Sequence, residues 1–405
     1  MFDIDAARSQ FPALNRVEGG HPVAYLDGPG GTQVPESVIN SMTSVLRDGV
    51  SNLGGGFGSS ALADTVTNDA RRAMADMFNC DPGEVVFGQN MTSLTFALSR
   101  ALASNWGPDD AIVLTSLDHD ANFTPWTRAA ADRGVEVRVA KFDVETFLLD
   151  PDAVIELIDE KVRLVAVAYS SNALGTTVDI QPIAAAAHDV GAQVFVDAVH
   201  AGPHHLIDVG ELGCDFLVVS VYKFFGPHTG VLYGRRDLLA GIDAYKVRPA
   251  PSDPPGKWET GTQSFESLAG VTAAVDYIAS LGSDGATRRG SLEMAFADIE
   301  GHEDMLGRTF VEGLGQIPGA RLHGVPEMGP DRGPTFGISV DGHGPETVAA
   351  HLASRGVYVW AGHYYAVNVM QSLGLLGKGG LVRIGFVHYN TEAEVTRALE
   401  GLAEL

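Results

Sequence analysis

The stretch from Val194 to Gly234 limits the possible folds of this chain more than any other. An apolar run, Val194-Phe195-Val196, stops at Asp197. A second, Phe216-Leu217-Val218-Val219-Ser220-Val221, stops at Tyr222-Lys223. Short runs rich in β-branched residues read as strands buried on both faces of a covered sheet. In such sheets a ligand sits beyond the carboxyl ends of the strands, so Asp197 and Lys223 are expected to face one cleft. Two readings of the pair stand side by side. One is a structural ion pair at a sheet edge. The other is a pyridoxal phosphate site, where the Lys amine condenses with the cofactor aldehyde and the Asp partners the pyridine nitrogen.

The rest of the chain alternates strand and helix signals, as an α/β fold requires. Strands are expected at 85–87, 111–115, 135–140 and 162–168, with helices at 35–49, 64–78, 94–104, 121–133, 150–160 and 182–190. A short helix is expected at 4–13. After an irregular, proline-bearing connection at 245–258 come helices at 267–281 and 287–316. Strands near 320–322, 335–340 and 357–359 and a helix at 345–355 then suggest a smaller α+β unit. The strand at 85–87 runs through a turn into a helix N-terminus beside Thr92 and Ser93, an arrangement that suits either a phosphate or simple N-capping.

Composition narrows the function classes. With 405 residues the chain can bury a large core, and its formal charge of −24 opposes nucleic acid or anionic membrane as a partner. Two cysteines, Cys80 and Cys214, provide neither a disulfide framework nor a metal set. They fit a reducing cytoplasm. The N-terminus lacks the apolar core of a signal peptide, and no run is long enough to cross a bilayer.

Ser220-Val221-Tyr222-Lys223, followed by Phe224-Phe225-Gly226-Pro227, resembles the Ser-x-His-Lys-x-x-Gly-Pro signature of cysteine desulfurases. These are class V aminotransferases with the type I fold of pyridoxal-phosphate enzymes. Further blocks fall in the same order between about Tyr25 and Thr391. They are Asp118-His119-Asp120-Ala121-Asn122, Ser171-Asn172-Ala173-Leu174-Gly175, Asp197-Ala198-Val199-His200, Glu259-Thr260-Gly261-Thr262 and Ala361-Gly362-His363-Tyr364-Tyr365-Ala366. The resemblance implies a large cofactor domain (21–285) with a mostly parallel, seven-stranded-type sheet. It also implies a small C-terminal domain (286–405) and an N-terminal arm (1–20) packing on that small domain.

The same resemblance assigns roles. Lys223 and Asp197 hold the cofactor, and His119 stacks on its ring. Asn172 reaches the phenolic oxygen, and His200 stands where Gln is usual. Thr92, Ser93, Ser220 and Tyr222 contact the phosphate, with Thr262 reaching across a homodimer to the neighbouring site. Arg383 clamps the substrate carboxylate, while His363 and Tyr365 belong to the substrate loop. Trp360 replaces a second Arg found in some relatives. Desulfurases carry a nucleophilic cysteine at the position of Tyr365, and a phenol cannot form a persulfide. The expectation is therefore β-elimination, of C–S lyase type, on a cysteine-like amino acid. The alternatives are an aminotransferase or epimerase, or a homologue that binds cofactor without turning over.

Overall fold

The computed structural model describes residues 2–282 and 285–405. Seven strands make the principal sheet: β1 (Val85–Gly88), β2 (Ala111–Thr115), β3 (Glu136–Ala140), β4 (Val162–Ala168), β5 (Gln193–Asp197), β6 (Phe216–Ser220) and β7 (Gly230–Gly234). Their order across the sheet is β1-β7-β6-β5-β4-β2-β3. The pairs from β6 through β3 are all parallel, whereas β7 runs antiparallel to both its neighbours. The expected mostly parallel sheet is thus present, with β7 as a strand the sequence reading did not separate.

Alternation along each strand explains why both faces are covered. Phe87, Val113, Val165, Val194, Val196, Leu217, Val219 and Val231 enter one apolar cluster. Their neighbours Val86, Ile112, Leu114, Leu164, Ala166, Phe195, Phe216, Val218 and Leu232 enter another on the opposite face. Period-two geometry applied to unbroken apolar runs demands two cores, and helices supply both. On one face α1 (Glu36–Asp48) and α2 (Gly58–Phe78) pack against α4 (Phe265–Leu281). Gly270 allows the α1–α4 approach, since a β-carbon there would lie 2.8 Å from Met42 Cγ.

Several boundaries differ from expectation for local reasons. Helix α3 (Met91–Leu102) starts three residues earlier than expected. Its cap is Asn90, whose side chain accepts the Ser93 N–H while the Ser93 hydroxyl takes the Asn90 N–H. Helix α2 begins at Gly58 rather than 64, directly after the extended Phe57. The expected helix at 4–13 is α-helical only over Ile4–Ser9, then a 3-10 turn over Pro12–Asn15, because Pro12 interrupts it. That at 150–160 is confined to Pro151–Ile155.

Helix α5 (Arg288–Leu314) leads to a second, antiparallel sheet of β8 (Ala320–His323), β9 (Thr335–Val340), β10 (Trp360–Gly362) and β11 (Leu381–Gly385), ordered β8-β9-β11-β10. Its core joins Phe336, Ile338, Val382, Ile384 and Phe386 to Leu306 and Phe310 of α5 and to Ala24 and Leu26 from the N-terminal region. Ala24–Tyr25 pairs in parallel with Val357–Tyr358. Further upstream Arg8 forms an ion pair with Glu394 at 3.0 Å, and Phe11 packs against Phe225, Tyr277 and Tyr389. Among the described residues no helix is long and apolar enough to cross a membrane.

Candidate active site

The carboxyl ends of β2, β4, β5 and β6 open into a cleft of about 860 Å³, closed on its far side by the 28–30 turn and the small sheet. Lys223 ends the 3-10 turn that follows β6. Its Nζ donates to the Pro29 carbonyl and lies 4.9 Å from the centre of the Tyr222 ring. Burial, and then the nearby Arg383 charge, draw the Lys223 amine down to about 7, against the opposing pull of Asp197 and Asp27. Asp197 is the last residue of β5 and accepts the Val199 N–H at 3.0 Å. Burial raises its carboxyl to about 6, with the Val199 hydrogen bond and Lys223 opposing.

Around this pair lie polar atoms that the chain itself leaves unsatisfied. His119 Nδ1 accepts the Ala121 N–H at 3.0 Å, which assigns its proton to Nε2. Burial, Lys223 and Arg383 hold His119 down at about 4, so it is neutral at physiological pH. His200 is likewise held well below its ordinary value by burial, and its Nε2 is buried without a partner. Asn172 Nδ2 donates to the Tyr364 carbonyl at 2.9 Å, while its Oδ1 is buried and unpaired. Buried polar atoms without partners are costly, so this set fits a site for a polar ligand better than a purely structural ion pair. Pyridoxal phosphate meets that description: Lys223 could take its aldehyde, Asp197 would partner its ring nitrogen, and His119 would be a neutral flat neighbour.

Thr92, Ser220, Tyr222 and His228 line the same cleft near the start of α3. The Ser220 hydroxyl accepts the Met91 N–H at 3.1 Å, tying the end of β6 to the helix terminus. Tyr222 stacks on His228 with ring centres 4.8 Å apart. Hydroxyls grouped at a helix N-terminus are a set that could hold a phosphate. Ser93 and Thr262 do not line this cleft. They lie instead on a second cavity of about 470 Å³, which shares His228 with the first.

Arg383, from β11, is buried, and burial lowers its guanidinium to about 10. Nη1 donates to the Asn172 carbonyl at 2.9 Å, Nε has no partner, and the group lies 4.3 Å from the centre of the Tyr364 ring. Among the described residues it has no carboxylate in ion-pair contact, so an anion in the cleft could be held there. Tyr364 and Tyr365 are both left-handed, at φ 52° and 59°, an uncommon conformation for residues of this size. The twist turns Tyr364 inward and leaves Tyr365 65% exposed at the mouth. There the Tyr365 ring is 5.5 Å from His119, and its carbonyl accepts the Asp120 N–H at 2.8 Å. His363 is exposed and does not line the cleft; its Nδ1 accepts the Tyr365 N–H at 3.1 Å, holding the loop tip.

Neither thiol lies on the cleft. Cys214 is buried and Cys80 partly so, and burial pushes both thiols up, away from the reactive thiolate. The sequence reading did not single out Asp27, His228 or Tyr364. Asp27 bridges to Gly385, and burial raises its carboxyl to about 6, against the pull of Arg383 and Lys223. Its place at the end of a short apolar run, like that of Asp197, was the available signal.

The chain and its fold have known counterparts. Residues 24–398 match the family described as aminotransferase class-V. An uncharacterized protein of Mycobacterium tuberculosis is 32% identical over 408 residues, spanning all of this chain and 99% of its own. A cysteine desulfurase of Pectobacterium atrosepticum is 30% identical over 420 residues, covering 100% and 98%. Among solved structures, a cysteine desulfurase of Thermococcus onnurineus superposes with a TM-score of 0.87 at 26% identity, covering 100% of this chain and 98% of the other. The cysteine desulfurase CsdA of Escherichia coli superposes with a TM-score of 0.86 at 24% identity and the same coverage, a likeness of fold. A match along nearly the whole length settles the family: the chain belongs to the class-V aminotransferase family, whose pyridoxal-phosphate enzymes include the cysteine desulfurases.

Proposed function

We propose that this enzyme performs pyridoxal-phosphate-dependent β-elimination on a cysteine-like α-amino acid, of C–S lyase type, and forms no persulfide on the protein. The observation that carries the reading is the tip of the 363–366 loop, where the cleft presents the phenol of Tyr365 and no thiol. Bound cofactor supplies an electron sink next to the substrate α-carbon. Arg383 holds the substrate carboxylate by charge-assisted hydrogen bonds. Lys223, whose amine lies in the cleft, takes the α-proton as its base. Asp197 keeps a proton on the ring nitrogen, and neutral His119 covers the ring face without adding charge. The C–S bond then breaks, the sulfur leaves as a small thiol, and water completes the release of pyruvate and ammonia.

The experiment incubates holoenzyme with L-cysteine and with an S-alkyl cysteine, and measures pyruvate, free thiol and protein-bound sulfur. Expected are pyruvate and thiol in equal amounts, with no bound sulfur. Changing both Cys80 and Cys214 to Ala should leave turnover nearly intact. A persulfide on either cysteine, with activity lost in the double variant, overturns the reading in favour of a desulfurase. Accumulation of the substrate's own keto acid, or of its other enantiomer, points to an aminotransferase or an epimerase.

A further inference from the structure

Asp120 is a carboxylate of the cleft that the proposed chemistry leaves unused. It opens the short 3-10 turn Asp120–Asn122, directly after His119. Its Oδ2 accepts the Thr124 hydroxyl at 2.9 Å, and among the described residues it forms no ion pair. The carboxylates acting on Lys223 and Arg383 are Asp197 and Asp27, so the Asp120 charge lies apart from both cations. Tyr365 is tied to it through the backbone. The Asp120 N–H donates to the Tyr365 carbonyl at 2.8 Å, which helps hold the two successive left-handed residues Tyr364 and Tyr365. The Tyr365 ring lines the cleft too, and most of it is open to solvent. A negative side chain and an open phenol ring therefore share the mouth. Each attracts a cation, one by its charge and the other by the face of its π-system.

We propose that Asp120 and Tyr365 form a subsite for a positively charged end of the substrate's β-substituent, so that the enzyme prefers a cysteine thioether ending in an ammonium group. The inference rests on reading the cleft as an α-amino-acid site with bound cofactor. Lys223 and Arg383 then serve the cofactor and the α-carboxylate, and the β-substituent is the part of the substrate left to run towards the mouth. A cleft of about 860 Å³ lies at the upper end for small-molecule sites, which leaves room for a chain longer than a thiol. His119 and His200, held neutral by burial, add no positive charge to repel such an end. An acidic substituent would meet Asp120 as a like charge, and a neutral one would gain nothing from it. The formal charge of −24 adds a long-range attraction in the same direction.

The test titrates holoenzyme calorimetrically with L-lysine and L-norleucine. The two differ in the terminal ammonium, and neither carries a β-leaving group. L-lysine should bind about tenfold more tightly, the combined scale of a half-exposed ion pair and a cation–π contact. Asp120→Asn keeps an acceptor for Thr124 and should cut the preference to about threefold, what the ring alone supplies. Tyr365→Leu, at an exposed side chain, should also reduce it, and added salt should narrow it in the unaltered protein. A parent that binds L-norleucine as tightly as L-lysine overturns the proposal, as does a preference that Asp120→Asn and salt both leave undiminished. Elimination is read separately, from pyruvate formed with S-aminoethyl-L-cysteine and S-propyl-L-cysteine. Pyruvate from neither, with the L-lysine preference intact, keeps the subsite and counts against elimination alone. Higher kcat/KM on the S-propyl compound overturns the subsite and leaves elimination standing.

Discussion

Lys223 carries a pH dependence that exists before any substrate arrives. Burial and Arg383 lower its amine to about 7, so the neutral, nucleophilic form predominates above that value. Cofactor-free protein should then take up pyridoxal phosphate slowly at pH 6 and faster as pH rises, levelling off above about 8. Stopped-flow absorbance in the visible reads the rate, and a rate still climbing at pH 10 would show an ordinary lysine. Lys223→Ala should remain colourless when the cofactor is added. Asp197 makes a separate demand. Its carboxylate is held to the backbone through Val199, so Asp197→Asn should keep the cleft's shape while losing the charge that retains a ring proton. Loss of such a positioned group costs on the order of a hundredfold in rate. Near-normal turnover with full cofactor content would remove Asp197 from the chemistry.

At the scale of elements, what was legible in the sequence divides by mechanism. The strands were legible because burial on both faces leaves runs such as Val162–Ala168 apolar but for Arg163, which pairs with Asp110 at 2.7 Å. Asp197, at the end of β5, and Lys223, in the 3-10 turn just after β6, were legible for the same reason: a polar residue that abruptly ends an apolar run has few other places to go. The start of α3 was misjudged because Asn90, not the hydroxyls after it, caps the helix. The inward turn of Tyr364 was not legible at all, since no glycine announces two left-handed residues in succession. Nor was Arg71, on α2, which meets Glu259 at 2.6 Å while Glu259 also accepts the Phe87 N–H at 3.1 Å. That contact ties the 259–263 segment to α2 and to β1, an edge strand of the principal sheet. Both side chains are largely buried, so removing one partner leaves a stranded charge. Arg71→Met should destabilise the fold by about 3 kcal/mol, read from the denaturant midpoint and slope. A change below about 1 kcal/mol would place the pair among ordinary surface bridges.

On the scale of the whole molecule, the 259–263 segment stands apart from the main cleft. Thr262 and Gln263 border the second cavity rather than the main cleft, yet the two cavities share His228. Glu259, fixed by Arg71 and Phe87, presents this segment in a set conformation. A twofold-related copy could place its own Thr262 hydroxyl at the phosphate end formed by Thr92, Ser220 and Tyr222. We therefore expect a homodimer with two symmetric sites. Each chain carries a formal charge of −24, so association brings like charges together and should tighten as salt screens them. Sedimentation should give the mass of two chains, with the monomer fraction falling between low and moderate ionic strength. Thr262→Val removes the hydroxyl with little change of shape, so the dimer mass should persist. Cofactor should nevertheless be lost more readily on dialysis, since a hydrogen bond to a charged phosphate contributes about 1.5–3 kcal/mol, roughly ten- to a hundredfold in affinity. A monomer that retains its cofactor fully, or a Thr262→Val dimer that binds it as tightly as the parent, would show that each chain completes its phosphate site alone.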